Sequence, residues 1–172
     1  QADLSRSTSL APSTVSGIVH DLTESGLVSV EEGHGGRRGR RVSLASTGCY
    51  LVAIDIGHAH VRVGLATPAR TFIDTRYWSI DADHSHTRVL NLAAHAVDEI
   101  RSEHGIPRDS VVSGGLSLPA PVDHETGRLL TASTVLPGWT GVDLVDEASA
   151  AMGVPVKVDN DANTAALAEH RW

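Results

Sequence analysis

Three groups of residues have types and spacings that can do chemistry. Asn160 and Asp161 sit side by side in Val156-Lys-Val-Asp-Asn-Asp-Ala-Asn163. A carboxylate accepts and an amide both accepts and donates, so such a pair suits the adjacent hydroxyls of a sugar. The same two side chains also suit the N-terminus of a helix, where Asx residues cap free amides, and the two roles are compatible. Asp55-Ile-Gly57 ends an apolar run with a carboxylate and a glycine that allows a tight turn. The third group lies near the start. Ser13, Thr14, Ser16, Gly17 and His20 occupy one side of a helical pattern, and Arg37, Arg38, Arg40 and Arg41 crowd a glycine-rich stretch. Small polar side chains let a helix enter a major groove, and a thin arginine tip suits the negative potential of a minor groove. A solvated basic hairpin is the plainer reading of those arginines.

The elements that must position these groups follow from the pattern. Residues 1–8 read as a short helix with Leu4 turned inward, and residues 9–11 as a turn. Pro12 then stands at a first helical position, where its missing N–H costs nothing. Val15, Ile18, Val19 and Leu22 form one apolar stripe at helical spacing. Ala11 falls where a capping hydroxyl is expected, at a cost of about 1 kcal/mol. Beyond Gly26, residues 27–31 and 41–44 read as two strands of a hairpin. From Tyr50 the pattern becomes α/β: strands over 51–56, 61–65 and 71–80, a helix over 85–104, a strand over 111–118, a helix over 143–152, a strand over 154–158 and a helix from 162 onward. In the long helix Val89, Leu92, Ala93, Ala96 and Ile100 share a face. The domains expected are therefore 1–48 and 49–172.

Composition narrows the class. Of the 172 residues, 41% are hydrophobic and 20% charged, as in ordinary globular proteins, while aromatics are only 3%, so Val, Leu, Ile and Ala must build the core. No apolar run is long enough to span a bilayer and no signal segment opens the chain, so the protein is expected to be cytoplasmic. Cys49 is the single cysteine, which leaves no internal disulfide or multi-cysteine zinc site; it reads as a small residue at a domain junction. The net charge of −7 divides unevenly. Residues 1–48 hold five basic and five acidic residues, and the nine basic and sixteen acidic residues beyond them hold the whole excess. Basic charge is thus a local patch at Arg37–Arg41. The pairs His58/His60 and His84/His86 read as surface polar residues, with no cysteine or glutamate partner at metal-ligand spacing. Gln1 and Trp172 give the chain the look of one cut at both ends.

Several motifs together resemble the ROK family (repressors, open reading frames and kinases), and in particular its winged-helix transcriptional regulators: Asp55-Ile-Gly57, Gly114-Gly-Leu-Ser-Leu-Pro-Ala-Pro-Val-Asp123, Leu136-Pro-Gly-Trp139, and Val158-Asp-Asn-Asp-Ala-Asn163 with Ala165-Ala-Leu-Ala-Glu169. The resemblance implies an N-terminal winged helix-turn-helix followed by one lobe of an actin-like, ribonuclease-H-like (ASKHA) sugar-kinase fold. It implies sugar contacts at Asn160, Asp161, Ser117 and Gly138. In the family's kinases the residue matching Asp161 is the general base, so Asp161 is catalytic only if this is a kinase. Asp55 and Gly57 match its first phosphate loop, but His58-Ala-His60 stands where a kinase carries glycine and threonine. ATP use and enzyme activity are therefore not expected. Ala120 replaces a glycine usual between the two prolines. No metal and no cofactor are expected within this chain; the family's zinc motif and its sugar-contacting Glu and His are expected beyond Trp172.

The expected function is a sugar-responsive transcriptional regulator, a repressor, that binds a double-stranded DNA operator as a homodimer and answers to a sugar or sugar phosphate. The alternatives are a kinase that phosphorylates a hexose with ATP, and a sugar-binding module that never meets DNA. None of the three involves a membrane.

Overall fold

A computed structural model describes residues 2–31, 40–45, 48–80, 85–123, 125–131 and 136–171. Arg37, Arg38 and His84 lie outside the described residues. The chain divides into two compact units, Gln1–Cys49 with Thr67–Thr71, and Tyr50–Ala66 with Phe72–Trp172.

In the first unit, helix α1 (Ala2–Thr8) and helix α2 (Pro12–Glu24) precede strands β1 (Val28–Glu31) and β2 (Arg41–Leu44). Pro12 opens α2 behind Ala11, which as N-cap offers no side-chain hydrogen bond. Gly26, at φ 71°, takes the left-handed turn that leads out of the helix. Val15 and Val19 are buried and Leu22 is half-buried, but Ile18 is 43% exposed, so the expected stripe is narrower by one residue. Ile18 stands roughly 60° around the helix from Val15. At that edge of the stripe no described residue of this unit buries it. Leu4 is likewise exposed rather than inward. β1 and β2 pair antiparallel, Val30 opposite Val42 and Glu31 opposite Arg41.

The second unit is an α/β fold around a mixed five-stranded sheet. Its strands are β3 (Tyr50–Ile56), β4 (His60–Ala66), β5 (Phe72–Ser79), β6 (Val111–Leu118) and β7 (Val156–Asn160), in the order β5-β4-β3-β6-β7. β3, β4 and β5 form an antiparallel meander, and β6 and β7 join β3 in parallel. Alternation sends Val52, Ile54, Ile56, Val61, Val63, Leu65, Leu116 and Val158 to one face, where they are buried. Helix α3 (His86–Glu103) and helix α4 (Leu144–Met152) cover that face. α3 buries Val89, Leu90, Ala93, Ala96, Val97 and Ile100. Leu92, expected on this face, is only half-buried, because Leu90 and Val97 lie closer to the centre of the helical stripe. Trp139 is fully buried and meets His86 edge-on, with ring centroids 5.9 Å apart. Gly153 ends α4 in the left-handed conformation. Helix α5 (Asp161–Arg171) follows β7 without a connecting residue. The strand thus runs two residues past its expected end and the helix starts one residue early. Cys49 is fully buried, and burial pushes its thiol above the ordinary pKa. No helix among the described residues is long and apolar enough to cross a membrane.

An ion network ties the edge strand to the end of α3. Arg76 bridges Asp74 at 2.7 Å and Glu103 at 2.6 Å, and the His104 ring lies 3.1 Å from Asp74. Arg76 chiefly, then His104, holds the Asp74 carboxyl down to about 2. A depressed carboxyl adds stability above its ordinary pKa, and that contribution is lost as pH falls through the folded value. We expect a carboxyl carbon NMR titration to place the Asp74 midpoint near 2. Asp74→Asn should remove the part of the acid-unfolding profile that lies between that midpoint and the usual carboxylate range of about 4.

Candidate functional site

The face of the sheet opposite α3 and α4 carries two rows of residues set by strand register. One row reads Tyr77, Arg62, Asp55, Ser117 and Asp159 across all five strands; the next reads Thr75, Gly64, Ala53, Gly115 and Lys157. The first row is polar and the second is mostly bare main chain. All of them but Tyr77 floor a cleft of about 670 Å³, walled on one side by Phe72 and on the other by α5. A Cβ added at Gly115 would meet nothing within 4 Å, so the floor there is open.

Within the polar row each carboxylate has donors. Ser117 Oγ donates to Asp55 Oδ1 at 2.8 Å, and His60 Nε2 approaches Asp55 Oδ2 at 3.3 Å. The His60 ring also stacks on Tyr77, with centroids 5.6 Å apart and planes 15° from parallel. Asp159 Oδ1 accepts from the Asn160 main-chain N–H at 2.7 Å and from Asn163 Nδ2 at 3.0 Å. Asp161, the first residue of α5, is exposed to the cleft and accepts from the Ala162 N–H at 2.8 Å through Oδ1.

Asn160 is placed differently. Its Oδ1 accepts from the main-chain N–H groups of Ala162 at 2.9 Å and Asn163 at 3.4 Å, which caps α5, while its Nδ2 donates to the Ala120 carbonyl at 3.0 Å. The amide thus locks the strand-to-helix corner to the loop after β6, and one N–H remains to serve a ligand. Asn160 does not line the cleft, and neither does Gly138. Gly138 sits at φ 82° in the turn that carries Leu136 and Trp139 into the core.

The structure therefore brings Asp55, Ser117 and Asp161 to one cleft, with Gly57 in the turn just past β3. It adds Asp159, Arg62 and Lys157, to which no role was given. The signal for them was the alternation of Lys157 and Asp159 along β7, readable only once the strand register is known. In the first unit Ser13, Thr14, Ser16, Gly17 and His20 are all exposed along α2, with His20 Nε2 3.6 Å from Glu24. Arg40 and Arg41 are exposed at the start of β2. His60 lies toward Asp55 at 3.3 Å and His86 toward Glu147 at 3.5 Å. One group of three metal-ligand types, Asp74, Glu103 and His104, is close enough to share an ion, but Arg76 already occupies both of its carboxylates.

Residues 51–172 match the ROK family. The chain belongs to that family. Its mixed α/β sheet is shared by a crystal structure of a ROK family transcriptional regulator, a homologue of the E. coli MLC protein. That structure matches with a TM-score of 0.77 at 23% identity, over 99% of this ROK chain and 43% of its own length. A xylose repressor of Caldicellulosiruptor bescii is 24% identical over 98% of the chain and 42% of its own length. A glucokinase of Halalkalibacterium halodurans is 30% identical over 70% of the chain and 36% of its own length. The ROK chain thus spans less than half the length of these relatives, which include both repressors and kinases.

The Ser117 hydroxyl is the one side-chain donor to Asp55 Oδ1 among the described residues. Asp55 is 45% exposed at its side chain, so water can take over part of that role. Ser117→Ala is expected to cost about 1 kcal/mol of unfolding free energy, read from urea denaturation.

Proposed function

We propose that this ROK chain is the DNA-reading front and first lobe of a sugar-responsive transcriptional regulator, a repressor that acts as a homodimer. The observation that carries this reading is coverage. The family match starts at residue 51, yet the xylose repressor aligns with 98% of the chain and so includes most of the first unit, whereas the glucokinase aligns with 70%. A kinase has no use for a polar helix face followed by an arginine-bearing hairpin.

In this reading residues 1–48 are a winged helix-turn-helix and residues 49–172 one lobe of an actin-like sugar-binding domain. α2 is the recognition helix. Its exposed Ser13, Thr14, Ser16, Gly17 and His20 meet the major groove, and β1 and β2 are the wing. Arg41 starts the second wing strand, and Arg37, Arg38 and Arg40 precede it in the sequence and make the stretch basic. The effector is a sugar or sugar phosphate. Asp161 supplies a carboxylate to its hydroxyls, Asn160 holds the corner and offers its remaining N–H, and Ser117 and Gly138 add to the pocket. Zinc belongs to a second lobe and ATP is not used. The kinase reading keeps one support, the 30% identity to a glucokinase, and in it Asp161 is the general base.

Selection from fragmented genomic DNA, followed by fluorescence anisotropy on the fragment recovered, tests the DNA assignment. The expected result is binding whose logarithm falls linearly with log salt, at about 0.9 per phosphate contacted. Changing Arg37, Arg38, Arg40 and Arg41 together to alanine should weaken it at least about tenfold and flatten the salt slope. Failure of the wild-type protein to select any fragment would favour the sugar module alone.

The effector arm is tested by adding a panel of pentoses, hexoses and their phosphates to the protein–DNA complex. One of them is expected to shift the anisotropy midpoint, and Asp161→Asn should abolish that shift while leaving DNA affinity intact. Consumption of ATP by the wild-type protein with a hexose, lost in Asp161→Asn, would select the kinase.

A further inference from the structure

The φ of Gly57 lies outside the left-handed region that favours glycine. What a side chain there would meet is the His60 ring. A Cβ built on Gly57 would overlap the imidazole, with Nε2 only 2.6 Å away. That ring is not a loose surface group. It is held at one edge by Asp55 Oδ2 at 3.3 Å and on one face by Tyr77, and its side chain is 33% exposed. The main-chain N–H of Gly57 is also committed, donating to the His60 carbonyl at 2.8 Å. Space, amide and carboxylate at this corner are thus all taken up by one residue three positions further along the chain.

We propose that His60 is a resident plug of the Gly57 corner: the glycine admits the imidazole, the imidazole positions Asp55, and the corner takes no anion. The order of construction follows from the antiparallel turn. β3 ends at Ile56, β4 begins at His60, and Gly57 and His60 face each other across the connection. In that turn His60 returns its ring over Gly57. Asp55 is then gripped from two sides, by Ser117 in the neighbouring strand and by His60 in its own hairpin. Tyr77, 59% exposed on β5, closes the outer side of the ring by stacking. This inference concerns the corner itself and stands whether or not the protein meets DNA or sugar.

A double-mutant cycle on the whole chain tests it. Thermal unfolding is measured for the wild type, Gly57→Ala, His60→Ala and the double variant. Gly57→Ala must expel the ring, so it should lower Tm by about 4 °C or more when His60 is present, and by a small fraction of that when His60 is alanine. Equal losses in the two backgrounds would overturn the proposal. If Gly57→Ala does not fold alone, the double variant decides: recovery of a folded protein supports the plug, and continued failure sinks it. The anion claim is read separately, from the Gly57 amide resonance as magnesium tripolyphosphate is added. The resonance should stay in place in the wild type, and a saturable shift would show that the corner takes phosphate after all.

Discussion

Parallel pairing of β3, β6 and β7 in one register is the constraint from which the rest of the second unit follows. Asp55, Ser117 and Asp159 stand abreast only because Asp55 faces Ser117 and Ser117 faces Asp159. Side chains alternate along a strand, so a slip of one residue in β6 would send Ser117 among the α3 and α4 side chains and bring Leu116 to the cleft. The apolar set prevents this. Ile54, Leu116 and Val158 form the matching row on the buried face, and each is 5% exposed or less. Burial of that row fixes the register, and the register fixes the polar row on the opposite side. The chemistry of the cleft is in this sense a by-product of core packing.

The corner after β7 depends on the same pairing. Asn160 faces Leu118 across the sheet, which brings its amide within reach of the Ala120 carbonyl. With its other end it caps α5, so one side chain sets the angle at which the helix leaves the strand and hence where Asp161 points. A sugar-contact role and a capping role draw on the same few hydrogen-bonding positions. Here the cap takes both positions on the oxygen and the Ala120 carbonyl takes one of the two amide protons, so Asp161 is the freer of the two neighbours.

Much of this architecture was legible in the sequence, for identifiable reasons. β6 runs over Val111–Leu118 as read, because Pro107 and a run of β-branched and small residues bound it clearly. The long helix was placed within a residue at each end, since Ser85 caps it and Gly105 stops it. What periodicity could not supply was the edge of each stripe. Ile18 and Leu92 obey the helical spacing but fall at the edges of their stripes, Ile18 exposed and Leu92 half-buried, and how far neighbours reach is a property of the fold rather than of the helix. Of the site residues named from the sequence, Asp55, Ser117 and Asp161 share a cleft, whereas Asn160 and Gly138 lie outside its lining. Asp159, Arg62 and Lys157 escaped because their placement is a cross-strand fact. His60 was read as a surface polar residue; its partners, Asp55 and Tyr77, come from two different strands.

The glycines of the sheet carry a last implication. With Gly64, Ala53 and Gly115 side by side, the middle of the cleft floor is nearly bare main chain, which has no rotamers to change. Its contour is set by strand twist, a property of the whole sheet that point substitution alters little. Diversification among descendants of this scaffold would then have to come from the rim, from positions such as Phe72, Thr164 and Leu167, while the base stayed common to all of them.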